Sequence, residues 1–225
     1  MPMPQKAIIF DLDGTLLDTL EDLADATNTV LSRRDLPPHP VNAYRRFVGS
    51  GARELIRRAL PPDQRTDAII RECHRDFMEV YACNWNTKTR PYPGIPELLD
   101  RLAERKIKTA ILSNKPHNIT VKTVETLLAP WHFEIVLGQR DGIPRKPDPA
   151  GALEIAHKFG KSPAEVLFLG DSDVDMRTSA NAGMFAVGAT WGFRSEEELL
   201  GAGAQALAKR PQETLAFFEK MSSMQ

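Results

Sequence analysis

Residues 7–16 read AIIFDLDGTL. Four apolar residues, rich in β-branched Ile, run straight into Asp11, Asp13 and Gly14. A short continuous apolar run that stops at acidic and glycine residues predicts a strand buried on both faces, with its carboxyl end opening on polar chemistry. The same pattern returns in TAIL (109–112), FEIVL (133–137), VLFL (166–169) and FAVGAT (185–190). Helical periods lie between the later runs. Leu98, Leu99 and Leu102 form a stripe in IPELLDRLAERK, and Leu153 and Ala156 form another in AGALEIAHKFG. Gly160 and Gly183 stand where helices stop. Strands alternating with helices predict an α/β fold, a doubly wound parallel sheet of Rossmann-like kind.

The alternation breaks once. From Leu16 to about Asn86 the sequence carries no convincing strand. Thr19 and Asp22 resemble a capping box, and Leu20, Leu23, Ala24, Thr27 and Leu31 follow at helical spacing. Leu55, Ile56, Ala59 and Leu60 share one helix face, as do Ile69, Cys73, Phe77 and Val80 or Tyr81. Pro37–Pro38 and Pro61–Pro62 break the run. The expectation is an all-helical cap domain, residues 17–86, inserted into an α/β core made of 1–16 and 87–225. The cap is expected over the sheet, with NTKTRPYPG (86–94) as the return linker. Leu215, Phe218 and Met221 are expected on a last helix that packs back on the sheet.

Composition narrows the function. The chain has 225 residues, with 29 Lys+Arg against 30 Asp+Glu, so no sequence-wide basic field points to nucleic acid. No apolar run approaches the ~20 residues of a membrane span, and the apolar run near the N-terminus is too short for a signal peptide. Two cysteines, Cys73 and Cys83, make no framework of disulfides, which fits a reducing cytoplasm. The His residues show no metal-binding spacing.

Ligands of an open parallel sheet bind at the carboxyl ends of its strands. Here those ends carry Asp11 and Asp13, then Ser113-Asn114-Lys115, then Lys146 in RKPDP, then Asp171 in GDSDVD. Several carboxylates in one pocket repel each other unless a cation intervenes. Oxygen ligands without His or Cys favour Mg²⁺, which commonly bridges a carboxylate to a phosphate oxygen. Lys146 and the Ser113 hydroxyl suit the other phosphate oxygens. Backbone N–H groups from Leu12 to Thr15 offer an anion cradle. An Asp is a competent nucleophile toward phosphorus, and a second Asp two residues on can exchange the proton of a leaving alkoxide.

Together these motifs resemble the four signatures of the haloacid dehalogenase-like hydrolases. Asp11-x-Asp13-Gly14-Thr15-Leu16, Ser113 after its strand, Lys146 in RKPDP, and GDSDVD occur in order between residue 7 and about 190. The insertion after the first motif is similar to the cap of the phosphoglycolate phosphatase and β-phosphoglucomutase subfamily. VGSG (48–51), RPYPGIPELLDRL (90–102) and SNKP (113–116) resemble the phosphoglycolate phosphatases. The resemblance implies a Mg²⁺-dependent phosphomonoesterase. Asp11 is then the nucleophile, through an aspartyl-phosphate, and Asp13 the acid and base. Asp11, the Asp13 carbonyl and Asp171 hold the metal, with Asp175 supporting it from behind. Ser113, Asn114 and Lys146 hold the phosphoryl oxygens. Asp173 falls outside the family pattern. Cap closure is expected to exclude water. The partner implied is a small phosphorylated metabolite, for a monomer or homodimer, with no nucleic acid and no membrane.

Other readings stand beside this one. The same chemistry serves pyrophosphate, a sugar phosphate, a nucleotide or a phosphomutase. A phospho-Asp receiver domain also uses Asp, Lys and Mg²⁺, but the insertion and Asp13 speak against it. An inactive binding homologue would lack a catalytic residue. Residue by residue, Ser113 can be a helix N-cap, Asp175 a cap of the following helix, and Asp173 a solvated residue. Lys115 and Arg90 are divided between substrate and water. Arg45, Arg46, Arg53, Arg57 and Arg58 read as a solvated helix face.

Overall fold

The computed structural model describes residues 6–223, with side chains to Phe218. The first five residues and the last two therefore lie outside the described residues, as does the side chain of Met221. Two compact units emerge: residues up to Leu16 together with Pro91 onward, and Leu17–Arg90.

The larger unit is a six-stranded sheet. Its strands are β1 (Ala7–Phe10), β4 (Lys108–Pro116), β5 (Ile135–Gln139), β6 (Val166–Gly170), β7 (Phe185–Ala189) and β8 (Ala206–Ala208). The order is β5-β4-β1-β6-β7-β8 and every neighbouring pair is parallel. The chain adds strands to one side of β1, then returns to its other side. That places the switch in strand order at β1, between β4 and β6.

Helices α5 (Ile95–Glu104), α6 (His117–Leu127), α7 (Ala150–Phe159), α8 (Asp173–Ala182), α9 (Glu196–Gly201) and α10 (Thr214–Ser223) belong to this unit. One face of the sheet buries Ala7, Ile9, Ala110, Leu112, Val166 and Phe168 against Ala152, Ile155, Ala156 and Phe159 of α7. The alternate residues Ile8 and Phe10 are equally buried, and the Phe10 ring meets Phe133 edge-on at 6.4 Å. Burial of both faces is why these strands read as unbroken apolar runs.

Details depart from the sequence reading. Leu153 does not join the core stripe. It is exposed, and Ala152, Ile155, Ala156 and Phe159 make the packed face of α7. Strand β5 starts at Ile135, because Phe133 leaves the strand line to cover Phe10. Strand β8 went unread: Ala-Leu-Ala carries no β-branched or aromatic signal. Leu215 and Phe218 of α10 are buried.

The smaller unit contains α1 (Leu20–Ser32), α2 (Tyr44–Phe47), α3 (Ala52–Ala59) and α4 (Asp67–Asn84). It is not all-helical as the sequence suggests: the short β2 (Leu17–Asp18) pairs with β3 (Arg90–Pro91), two residues being too few to leave a strand pattern in the sequence. Leu20, Leu23, Ala24, Thr27 and Leu31 are buried as their spacing predicts. On α4 the packed face is Ile70, Cys73, Phe77 and Tyr81, with Ile69 only half-buried.

The capping box at Thr19 and Asp22 does not form. The Thr19 side chain makes no cap bond. Asp22 turns instead to the far end of the unit, where its carboxylate accepts from Lys88 N–H at 3.0 Å, Thr89 N–H at 2.9 Å and Thr89 Oγ1 at 2.7 Å. Several donors on a buried carboxylate outweigh one terminal cap bond. Asp22 thereby ties the chain entering the unit to the chain leaving it. Asp22→Ala is expected to cost about 3 kcal/mol in chemical denaturation, because it orphans buried N–H groups. A loss below about 0.5 kcal/mol would show that Asp22 does not hold this closure.

Candidate active site

The carboxyl ends of β1, β4 and β6 and the loop before α7 bring the sequence-predicted residues to the switch point. Asp11 follows β1, Ser113 and Asn114 lie near the end of β4, Lys146 precedes α7, and Asp171 and Asp175 follow β6. The pairing of β4 with β5 is irregular between Leu112 and Pro116, where Ser113, Asn114 and Lys115 lie. An irregular ladder re-aims side chains, and this one falls at the site.

Lys146 is the organising cation. Its Nζ donates to Asp11 Oδ1 at 2.7 Å and to Asp175 Oδ1 at 2.6 Å. All three residues are buried. Burial pulls the lysine toward neutrality, but the two carboxylates overcome it and hold its pKa above the ordinary value. Asn114 positions this lysine. Its amide donates to the Lys146 carbonyl at 3.1 Å, and its oxygen accepts from the Lys146 N–H at 3.0 Å. Expected among the phosphoryl contacts, Asn114 has its side-chain amide engaged with the backbone of the next motif.

Asp175 serves two partners. While Oδ1 meets Lys146, Oδ2 accepts from Ser172 N–H at 3.1 Å and Ser172 Oγ at 2.6 Å. Ser172 caps α8 in return, accepting from the Asp175 N–H, so a reciprocal capping box is built into the site. Helix capping and ion pairing coexist on one side chain. Asp173, one turn position away, faces Arg177 at 3.5 Å and Arg194 at 4.0 Å.

Asp171 is held on both oxygens. Thr15 Oγ1 donates to Oδ1 at 2.9 Å and Phe193 N–H to Oδ2 at 2.8 Å. Two glycines let the backbone close on it. Gly14 has φ +90°, and a Cβ there would lie 2.3 Å from Asp171 Oδ2. A Cβ on Gly192 would lie 2.2 Å from the Asp171 Cβ. The Trp191 indole N–H donates to the Thr15 carbonyl at 2.9 Å. Residues 191–194 thus brace the site from the end of β7. No motif marked them, although the strand-end rule applies to β7 as to its neighbours.

Asp11, Asp171 and Asp175 offer oxygens that all lie within 4.8 Å of one another. Burial first, then the Asp175 charge, lifts Asp11 well above the ordinary carboxylate range against the pull of Lys146. The same two causes lift Asp171 to about 7, against the Phe193 and Thr15 hydrogen bonds. Such crowding is the signature of a site short of positive charge. An all-oxygen donor set fits a hard divalent cation. Asp175 Oδ1 already faces the Lys146 ammonium, whereas the hydrogen bonds to Asp171 come only from the neutral Thr15 hydroxyl and Phe193 N–H.

Asp13 stands apart from this cluster. Its carboxylate meets Lys115 Nζ at 2.9 and 3.2 Å, in a pair whose lysine side chain is only 4% exposed. The sequence alone does not decide between substrate and water for Lys115. Ser113 Oγ accepts from the Lys115 N–H at 3.2 Å, and helix α6 starts without any side-chain cap, so Ser113 does not act as an N-cap. The expected cradle is narrower than Leu12–Thr15, because the Thr15 N–H turns back on the Leu12 carbonyl at 3.4 Å.

Comparison with known proteins agrees with the fold and the motifs. Residues 8–189 match the haloacid dehalogenase-like hydrolase family. The chain is 32% identical to a phosphoglycolate phosphatase of Psychrobacter arcticus, over 88% of each protein. It is 35% identical to a phosphoglycolate phosphatase of Mesorhizobium japonicum, over 85% of each. A crystal structure from Lactobacillus delbrueckii subsp. bulgaricus superposes with TM-score 0.89 at 30% identity, covering 97% of this chain and 99% of the other. A predicted phosphoglycolate phosphatase from Haemophilus somnus superposes with TM-score 0.87 at 29% identity, over 96% and 99%. The chain belongs to the haloacid dehalogenase-like hydrolases. Within that family it is an enzyme similar to phosphatases. No helix among the described residues is long and apolar enough to cross a membrane.

The raised Asp171 pKa predicts a pH-dependent response to metal. Without metal, the contribution of this group to stability is fully present below about pH 4 and is lost as pH rises through about 7. A divalent cation needs the deprotonated carboxylate and stabilises only the folded chain. The melting temperature gained on adding Mg²⁺ is therefore expected to grow between about pH 5.5 and 7.5. A gain independent of pH, read by calorimetry, would remove Asp171 from the metal site.

Proposed function

We propose that this chain is a Mg²⁺-dependent phosphomonoesterase that works through an aspartyl-phosphate on Asp11, with 2-phosphoglycolate or a similar small phosphate as substrate. The observation that carries this reading is the buried Asp11–Lys146–Asp175 arrangement beside Asp171, with Asp13 two residues from Asp11. The names of the relatives support the substrate class.

In this reading, Lys146 offsets the charge of Asp11 so that an anionic phosphoryl group can approach it. The Ser113 hydroxyl and the Lys146 ammonium take phosphoryl oxygens, which are best served by fixed, charge-assisted donors. Asn114 holds Lys146 in place for this task. Asp11 attacks phosphorus and the ester oxygen leaves with a proton from Asp13. Asp13 then takes a proton from the water that splits the acyl phosphate, returning Asp11 and free phosphate. Proton transfer of this kind contributes roughly 10²–10⁴-fold. Asp11, the Asp13 carbonyl and Asp171 would hold Mg²⁺, whose charge stabilises the phosphoryl oxygens during transfer.

Phosphate release from a panel of phosphoglycolate, pyrophosphate, hexose phosphates and nucleotides, with and without Mg²⁺, tests the reading. Multiple turnovers that need Mg²⁺ and favour phosphoglycolate are expected. A different preferred ester would keep the chemistry and change the substrate. A single labelling event without turnover would sink the phosphatase. Asp11→Asn is expected to lose more than about a thousandfold in kcat while keeping its circular dichroism spectrum. Retained turnover in that variant would exclude Asp11 as nucleophile.

A further inference from the structure

Lys115 occupies a place that the phosphoryl chemistry leaves unexplained. In the proposed function the transferred group would be neutralised by Lys146 and a divalent cation and hydrogen-bonded by Ser113. Lys115 instead lies against Asp13, with its ammonium spanning both carboxylate oxygens at 2.9 and 3.2 Å. Its side chain is almost as buried as that of Lys146. A lysine withdrawn from water is costly unless it meets anions, so such a site is selective for what it accepts beside it. Asp13 is less withdrawn, with 14% of its side chain exposed.

The position of this cation relative to the reaction follows from the proposed function, on which this inference rests. If Asp13 serves the leaving oxygen, then whatever that oxygen carries arrives next to Lys115. A neutral alkyl group there would meet a buried ammonium without offering it a partner. A carboxylate one carbon away from the leaving oxygen would share the ammonium with Asp13. A cationic leaving group would be repelled.

We propose that Lys115 is a specificity-determining residue that selects phosphomonoesters whose leaving alcohol carries a carboxylate next to the ester carbon. The backbone supports this assignment. The Lys115 N–H donates to Ser113 Oγ, so the residue that presents the cation is fixed to the strand end itself. The carbonyl of Lys115 accepts from Thr120 Oγ1 at 3.1 Å, which anchors its other side to α6. Rigid support of this kind is what discrimination between charged and neutral leaving groups needs.

The test compares phosphoglycolate, its uncharged amide and ethyl phosphate, with Mg²⁺ present, in the wild-type chain, Lys115→Gln and Lys115→Arg. Intrinsic reactivity cancels when each variant is compared with wild type on the same ester. Lys115→Gln is expected to lower kcat/KM for phosphoglycolate at least about tenfold more than for the amide or ethyl phosphate, as for one charge-assisted contact. Lys115→Arg is expected to recover part of that ratio, because the charge remains. Equal losses on all three esters would overturn the proposal and reduce Lys115 to a support of Asp13. A wild-type enzyme that turns over ethyl phosphate as well as phosphoglycolate would also overturn it, with the phosphatase reading intact. A wild-type chain that releases phosphate from no ester would sink the proposed function itself. Should the glutamine variant fail to fold, inhibition of the wild type decides. Glycolate is expected to inhibit and glycolamide not, and equal inhibition by both overturns the assignment.

Discussion

Three carboxylates and one lysine share a space that water hardly reaches, and most of the site is arranged to make that tolerable. Asp11, Asp171 and Asp175 set three carboxyl groups against the single ammonium of Lys146. Burying one charge without a partner costs several kcal/mol, so every oxygen in this group must find a donor or a cation. The structure meets that demand for five of the six oxygens. Lys146 spans Asp11 and Asp175, the capping box of α8 takes the second oxygen of Asp175, and Thr15 with the Phe193 N–H takes Asp171. The deficit of positive charge that remains is what a divalent cation would fill.

The sheet supplies the precision. Parallel strands end together along one edge, and the switch in strand order at β1 opens a crevice there. Rigid strands flanked by packed helices hold Asp11 and Asp171 at adjacent ends, because β1 and β6 are in register from Ala7–Val166 to Phe10–Leu169. Backbones can then approach as side chains cannot. Gly14 and Gly192 bring two loops against the Asp171 carboxylate at distances that any Cβ would forbid. Loop 191–194 contributes through its main chain, the Trp191 indole N–H and the Arg194 guanidinium rather than through a recognisable motif.

The helical unit follows a different logic. Its burial comes from amphipathic stripes, which the sequence shows at α1, α3 and α4, and it is closed by the single buried Asp22. Asp22 illustrates how local reading fails. A residue three places after a threonine suggests a cap, but a buried carboxylate goes where the most donors are, and those are 66 and 67 residues away. Leu153 failed for the same reason in reverse. Helical spacing made it eligible for the stripe, while the sheet surface accepted its neighbours Ala152 and Ile155.

The sequence by itself determined the α/β class, the inserted helices and the acidic, hydroxyl and lysine residues at the strand ends. These are legible because strand burial leaves apolar runs and because the chemistry of phosphate and metal restricts the residues that can follow them. Tertiary structure alone decided the partners: that Asn114 fastens Lys146, that Lys115 lies on Asp13, that Asp175 both caps a helix and faces the lysine, and that Phe193 and Trp191 brace Asp171. Each of these contacts joins residues of different loops or of one side chain's two faces. Sequence spacing carries the period of a helix or strand, but it holds no record of which loop ends the folded sheet sets side by side.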